Sequence, residues 1–134
     1  MSSSLEEKII KLLKSNSIPF EREKQFKDCR SGLLRYDFWI EKDKTIIEVH
    51  GPQHYEYIKF FYKNKSDFTK AQERDRQKIG FALSQGFKIY CIPYWEIDNI
   101  TSINLLFQDK FLAKSKFKND DDWRDFVKNR ETIR

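Results

Sequence analysis

The stretch Arg35-Tyr-Asp-Phe-Trp-Ile-Glu-Lys-Asp-Lys-Thr-Ile-Ile-Glu-Val-His50 decides the fold. Two runs rich in β-branched and aromatic residues, 33–40 and 45–49, flank the polar segment 41–44, which is short enough for a tight connection. The pattern therefore predicts a β-hairpin of two antiparallel, largely buried strands.

The rest of the chain surrounds this hairpin with elements of both kinds. Apolar spacing predicts a helix that ends near Ser15, a helix over 66–85 and another over 100–112, with shorter strands over 20–26 and 87–94. Residues 51–65 fit neither period, and we expect an irregular loop there. This order predicts an α/β fold with a small mixed β-sheet flanked by helices and an αβββαβ core.

Length and charge limit the class of protein. A chain of 134 residues and 16.3 kDa with 39% hydrophobic residues fits one compact domain and excludes a wholly disordered protein. We expect residues 1–113 to form the main body and 114–134 to be a charged segment with a short helix in the same domain. The net charge of +5 favours an anionic partner.

Targeting and redox signals are weak. The first 14 residues lack the pattern of a signal peptide, and no apolar run reaches the length of a membrane span, so we expect a cytoplasmic protein without a membrane partner. Cys29 and Cys91 lie far apart in the sequence, and neither has a nearby cysteine or histidine. We therefore expect no disulfide framework and no structural zinc.

Acidic residues inside the hairpin point to chemistry. Asp37 lies within an apolar strand, and Glu48 and His50 alternate at the end of its partner, so their side chains are expected to converge. A carboxylate among apolar residues is costly unless it is paired or binds a cation. Hard cations such as Mg²⁺ prefer carboxylate oxygens and can generate a hydroxide nucleophile for phosphodiester cleavage.

The hairpin resembles a known group of nucleases. An Asp on one strand, a short turn and Glu-x-Lys on the next strand mark the PD-(D/E)XK superfamily, and Asp37 with Glu48-Val49-His50 is similar, with histidine in place of lysine. Three further segments resemble Vsr-like and phage or mobile-element endonucleases of the homing-endonuclease type. They are Gln53-His-Tyr55, Gln72-Glu-Arg-Asp-Arg-Gln-Lys78 and Ile92-Pro-Tyr94.

The resemblance implies a restriction-endonuclease-like domain over 1–113 and a Mg²⁺-dependent DNA endonuclease or nickase, with Mn²⁺ as a substitute. It implies that Asp37 and Glu48 bind the metal with the Val49 carbonyl, and that His50 and His54 act as base, acid or phosphate contacts. Which histidine activates water stays open. Glu6 in the first helix matches the place of an auxiliary acid, and an exposed helix-surface glutamate is the equal alternative.

Basic residues supply expected contacts to nucleic acid. Arg74 and Lys78 on the long helix are candidates to meet the scissile phosphate in place of the missing lysine, with a solvated helix face as the alternative. On the same helix, Asp75 is expected to enter the site or to pair with Arg35. The remaining candidates lie in or beside the aromatic loop: Gln53, Lys59, Lys63 and Lys65.

Two alternatives to a DNA endonuclease stay open. One is a non-catalytic nucleic-acid-binding module in which the altered third motif position has abolished cleavage. The other is a nuclease for RNA or branched DNA. DNA is the expected partner, and so short a chain would take its specificity from loops, a homodimer or a recognition partner.

Overall fold

The computed structural model describes residues 4–27, 34–51 and 64–113. Helix α1 (Ser4–Ser15) precedes strands β1 (Glu21–Lys24), β2 (Tyr36–Ile40) and β3 (Thr45–His50). Helix α2 (Lys65–Ser84) and strand β4 (Lys88–Pro93) follow, and then a short helix α3 (Ile103–Leu106). The predicted αβββαβ order is confirmed.

Four strands form one mixed sheet in the order β1-β2-β3-β4. The β1–β2 and β2–β3 pairs are antiparallel, and β3 and β4 are parallel. The β2–β3 pair is the predicted hairpin, with Phe38 opposite Ile47 and Ile40 opposite Thr45. Because β3 is central and buried at all six of its positions, any polar side chain on it needs an internal partner.

Helix α2 makes the crossover that parallel strands require. Its first turn is capped by Asn64, whose side chain accepts a hydrogen bond from the Asp67 amide at 2.9 Å. At the other end, Gly86 takes a φ of +78°, a left-handed conformation that glycine adopts at little cost. The Asn64 cap and Gly86 set where α2 begins and ends. They thereby set which face of α2 packs against the sheet.

Each face of the sheet is covered by one long helix. Ile9 and Leu13 of α1 pack in the core with Phe38, Ile47 and Ile92. On the opposite face, α2 contributes Ile79 and Ala82 to a second core, whose sheet residues are Tyr36, Trp39, Ile46, Ile89 and Cys91. The predicted sheet flanked by helices is therefore confirmed.

Two predicted boundaries were wrong. The strand predicted over 33–40 begins only at Tyr36, and the continuous helix predicted over 100–112 is absent. Its place is taken by 3₁₀ turns over Tyr94–Asn99 and Asp109–Phe111 with α3 between them. Tertiary contacts explain the break, because Phe107 packs against Tyr90 and Leu112 forms an antiparallel bridge with Tyr90, at the outer edge of β4.

Some predictions lie outside the described residues. Most of the loop predicted over 51–65 and the whole charged segment 114–134 belong to this group. Within the ranges that the structure covers, no helix combines the length and apolarity needed to cross a bilayer.

The fold predicts that the centre of β3 carries much of the stability. Ile47 is fully buried between β2 and β4, so Ile47→Ala should lower the free energy of unfolding by about 3 kcal/mol in urea titrations. Ile103→Ala is the matched control, because Ile103 is only partly buried and should cost clearly less. Equal losses for the two variants would contradict this packing.

Candidate active site

The site begins where the β2–β3 ladder ends. The last paired residues there are Phe38 and Ile47, which places Asp37 opposite Glu48. The amide of Val49 donates a hydrogen bond of 2.8 Å to Oδ2 of Asp37. Since the N–H and C=O of a strand residue point to the same neighbouring strand, the Val49 carbonyl is also directed to the Asp37 side.

Glu48 points from β3 towards α2 and meets a lysine. Lys78 Nζ lies 2.7 Å from Glu48 Oε1, and the two side chains are 14% and 5% exposed. Tyr36 holds this lysine in place, because its hydroxyl donates to the Lys78 carbonyl oxygen at 2.7 Å and its ring centroid lies 5.2 Å from Nζ. Helix α2 thus brings a buried ammonium to the acids of the hairpin.

Burial changes the protonation of Asp37. Desolvation raises the pKa of its carboxyl to about 8, and the neighbouring Glu48 adds to the rise, while Lys78 and the Val49 amide oppose it. Asp37 is therefore largely protonated at neutral pH, and it hydrogen-bonds to the Glu48 carboxylate. Proton sharing of this kind is typical of two acids packed closely together.

The Glu48–Lys78 pair responds to the same burial. Desolvation raises the pKa of Glu48, and Lys78 pulls it back towards the charged form. Burial alone would lower the pKa of Lys78, but the carboxylates of Glu48 and Asp37 outweigh it and raise that pKa. Asp75, a buried residue of α2, acts on both groups electrostatically, so the prediction that it enters the site agrees with its position.

Two more carboxylates approach Asp37 from the other side. One oxygen from each of Glu6, Glu23 and Asp37 lies within 4.8 Å of the others. Glu6 comes from α1, and its Oε1 accepts a hydrogen bond from Arg22 Nη2 at 2.8 Å. The Glu6 side chain is only 15% exposed. Glu6 is therefore not an exposed glutamate of the helix surface, which was the alternative interpretation.

Glu23 was not predicted. It lies in a short, highly charged edge strand whose sequence is typical of a solvent-facing segment, and no sequence signal distinguishes it from its neighbours. The structure gives Glu23 a φ of +52°, and the β1–β2 register places it opposite Asp37. Its position next to the site is thus a product of the sheet register.

The donor set suits a hard divalent cation. Carboxylate oxygens of Glu6, Glu23 and Asp37 lie within 4.8 Å of one another, and Glu48 lies beside Asp37. Carboxylate oxygens are the ligands that Mg²⁺ and Mn²⁺ prefer. The raised pKa of Asp37 records the repulsion and desolvation that such a cation would relieve. The residues present therefore fit the expected metal.

The other predicted site residues are placed as follows. His50, the last residue of β3, is 3% exposed and lies opposite Pro93 of β4. Lys65 and Arg74 are exposed on the first half of α2, whereas Lys78 is turned inward. Gln53, His54, Lys59 and Lys63 lie outside the described residues.

The raised pKa of Asp37 predicts how stability depends on pH. A folded pKa of about 8 against 3.8 for the free carboxyl means that the protonated form favours folding, so this contribution is full below pH 4 and is lost as pH rises to 8. Asp37→Asn imitates the protonated acid and should raise the free energy of unfolding at pH 8 by about 1–3 kcal/mol, with a smaller gain at pH 5.

Urea titrations at the two pH values measure this difference. Asp43→Asn makes the same chemical change at an exposed position of the hairpin turn and should have little effect at either pH. An Asp37→Asn variant that is less stable than the wild type at pH 8 would contradict the proposed burial of this carboxyl.

Comparisons with known proteins agree with this geometry at the level of the fold. No family model matches the chain. The catalytic domain of the homing endonuclease I-Bth0305I is similar in structure, with a TM-score of 0.50 and 21% sequence identity over 74% of this chain and 84% of that domain. The chain therefore has the nuclease-like fold of that catalytic domain.

Two viral proteins are similar in sequence over part of their length. Uncharacterized protein 094L of Frog virus 3 (isolate Goorha) is 39% identical over 62 residues, which is 46% of this chain and 40% of that protein. Uncharacterized protein 307L of Invertebrate iridescent virus 6 is 34% identical over 61 residues, again 46% of this chain but 31% of that protein. The matched segments thus span less than half the length of either relative. The chain has a nuclease-like α/β fold and is similar over part of its length to these two uncharacterized viral proteins.

Proposed function

We propose that this protein is a metal-dependent DNA endonuclease or nickase of the PD-(D/E)XK type, related to Vsr-like and homing endonucleases. One observation carries the proposal: Asp37, Glu48 and the ammonium of Lys78 converge at one end of a mixed sheet, with Lys78 Nζ 2.7 Å from Glu48. Two acids and a lysine are the groups of the superfamily motif. Here the lysine comes from α2 instead of the strand position that His50 occupies.

Each group has a chemical role in this proposal. Asp37 and Glu48, with the Val49 carbonyl, would hold the cation, and Glu6 would be the auxiliary acid beside them. When bound, Mg²⁺ or Mn²⁺ would polarise a phosphoryl oxygen and lower the pKa of a water molecule. His50 and His54 are the candidates to move the proton of that water or of the leaving oxygen.

Lys78 would stabilise charge on the reacting phosphate. Its carboxylate neighbours raise its pKa, so the ammonium stays charged despite its burial. The hydrogen bond from Tyr36 to its carbonyl fixes the helix turn that carries it. A fixed, charged donor beside the reacting group needs little reorganisation during the reaction, which is the property that electrostatic catalysis requires.

The outer side of α2 is suited to the phosphate backbone. Lys70, Arg74 and Lys78 are spaced four residues apart, so they follow one ridge of the helix. Lys70 and Arg74 are exposed, and the ridge leads inward to Lys78 beside Glu48. We infer that Lys70 and Arg74, with Lys65 at the helix start, guide a DNA strand towards the acids.

The comparisons support this assignment without naming a substrate for the chain. The structural neighbour is the catalytic domain of a homing endonuclease, and the chain shares its fold. The viral relatives favour an origin in a virus or an infected cell. That the protein recognises a specific site, binds a recognition partner or forms a homodimer is likewise part of the proposal.

Cleavage of supercoiled plasmid tests the active site. With Mg²⁺ or Mn²⁺, the wild type should give nicked or linear product, and EDTA should prevent it. Asp37→Asn, Glu48→Gln and Lys78→Met should each lower the rate by about 100-fold or more, because each removes a group that contacts the cation or the phosphate. Asp43→Asn at the far turn should cleave like the wild type.

Three outcomes would argue against the proposal in different ways. Cleavage that survives EDTA would rule out the metal, and undiminished cleavage by Lys78→Met would rule out its role. DNA binding without cleavage of duplex, mismatched, branched or single-stranded DNA, or of RNA, would favour the non-catalytic binding module.

The row of basic residues on α2 leads to a separate prediction about DNA binding. Arg74→Gln should weaken DNA binding about equally for all sequences and reduce the slope of log affinity against log salt by about one. Lys42→Gln is the control, since Lys42 is an exposed cation in the hairpin turn at the opposite end of β3. Equal salt slopes for the Arg74→Gln and wild-type proteins would remove Arg74 from the contact surface.

A further inference from the structure

Arg22 lies directly beside the acids but has no role in the proposed reaction. Its Nη2 donates to Glu6 Oε1 at 2.8 Å, and its Nε donates to the Asp37 backbone carbonyl at 3.4 Å. Its guanidinium carbon lies 4.8 Å from the centroid of the Phe38 ring. Three different contacts thus hold one cation between α1 and the start of β2.

These contacts make Arg22 a fixed charge. The side chain is 27% exposed, it is packed on a fully buried ring, and a guanidinium keeps its charge at every pH of interest. A lysine at this place would be more mobile and more strongly hydrated. The structure therefore places a permanent positive charge 2.8 Å from Glu6, the acid that matches the auxiliary position of the resemblance.

Glu48 and Glu6, the two acids that flank Asp37, are each paired with a cationic side chain. Glu48 has Lys78 as its partner at 2.7 Å, and Glu6 has Arg22 at 2.8 Å. Asp37 lies close to both acids, and Lys78, the partner of Glu48, also acts electrostatically on the Asp37 carboxyl. Two divalent cations close together would need the charge of both flanking acids, but here each acid already faces a protein cation.

We propose that Arg22 holds Glu6 in an ion pair and thereby limits the acid site to a single divalent cation. The inference rests on the proposed function, because it presupposes that Asp37 and Glu48 bind a metal. Arg22 is a positioning residue in this proposal: it acts through Glu6 and through repulsion of a second cation. It takes no part in the reaction itself.

The number of bound ions tests the proposal without any cleavage assay. Electron paramagnetic resonance of free Mn²⁺ gives the ions bound per chain in the full-length, DNA-free protein. The wild type should bind one. Arg22→Gln should bind a second ion at least about tenfold more tightly than the wild type does, because a cation that repels the ion and pairs with Glu6 is removed.

Three further variants separate charge from structure. Arg22→Lys keeps the charge and should still bind one ion, and the double variant Arg22→Gln/Glu6→Gln should return to one ion. Arg76→Gln is the matched control, since Arg76 is another partly buried arginine, 2.7 Å from Glu73. It should bind one ion, and circular dichroism of each variant checks that it has folded.

The ion counts of the wild type and the variants decide the proposal. Two ions on the wild type, or one ion on a folded Arg22→Gln, overturns the proposal for Arg22 and leaves the metal site intact. If Arg22→Gln does not fold, the wild-type count and Arg22→Lys still decide, because two ions on either overturn it. No ion on the wild type would instead overturn the metal-dependent function on which the inference rests.

Discussion

The ion pair between Glu48 and Lys78 is the interaction on which the arrangement of this molecule depends. Glu48 lies in a central strand that is buried at every position, where an unpaired carboxylate would be strongly destabilising. Lys78 of the covering helix α2 supplies the cation that favours its charged form. The Asn64 cap, the packing of Ile79 and the bond from Tyr36 to Lys78 all set the register of α2 that does so.

Packing these acids together lowers the stability of the fold, and this loss points to a function. Asp37 and Glu48 are packed together with raised pKa values, and Glu6 and Glu23 add further acidic oxygens within reach of Asp37. A fold under selection for stability alone would place apolar residues at such positions. Acids that repel one another at a sheet end, with protein cations beside Glu48 and Glu6, are better explained as a preformed site for a metal and a phosphate.

Local patterns in the sequence predicted the parts of this structure that depend on local forces. The hairpin followed from two apolar runs around a short polar turn, and the convergence of Asp37 and Glu48 followed from strand alternation. Glu23 and the break of the helix over 100–112 were not accessible in this way. Glu23 is placed by a left-handed residue and a sheet register, and the break is caused by the contacts of Phe107 and Leu112 with β4. Lys78 was predicted to meet a phosphate, but its pairing with Glu48 depends on the docking of a helix thirty residues away.

Anomalous diffraction from crystals containing Mn²⁺ and a DNA duplex would test most directly whether this sheet end is a metal-dependent nuclease centre. We expect one manganese peak within bonding distance of the Asp37 and Glu48 carboxylates, with a phosphate of the duplex beside it and Lys78 facing that phosphate. A map with no peak at these acids under saturating Mn²⁺, or with the duplex bound on another face of the protein, would contradict the assignment.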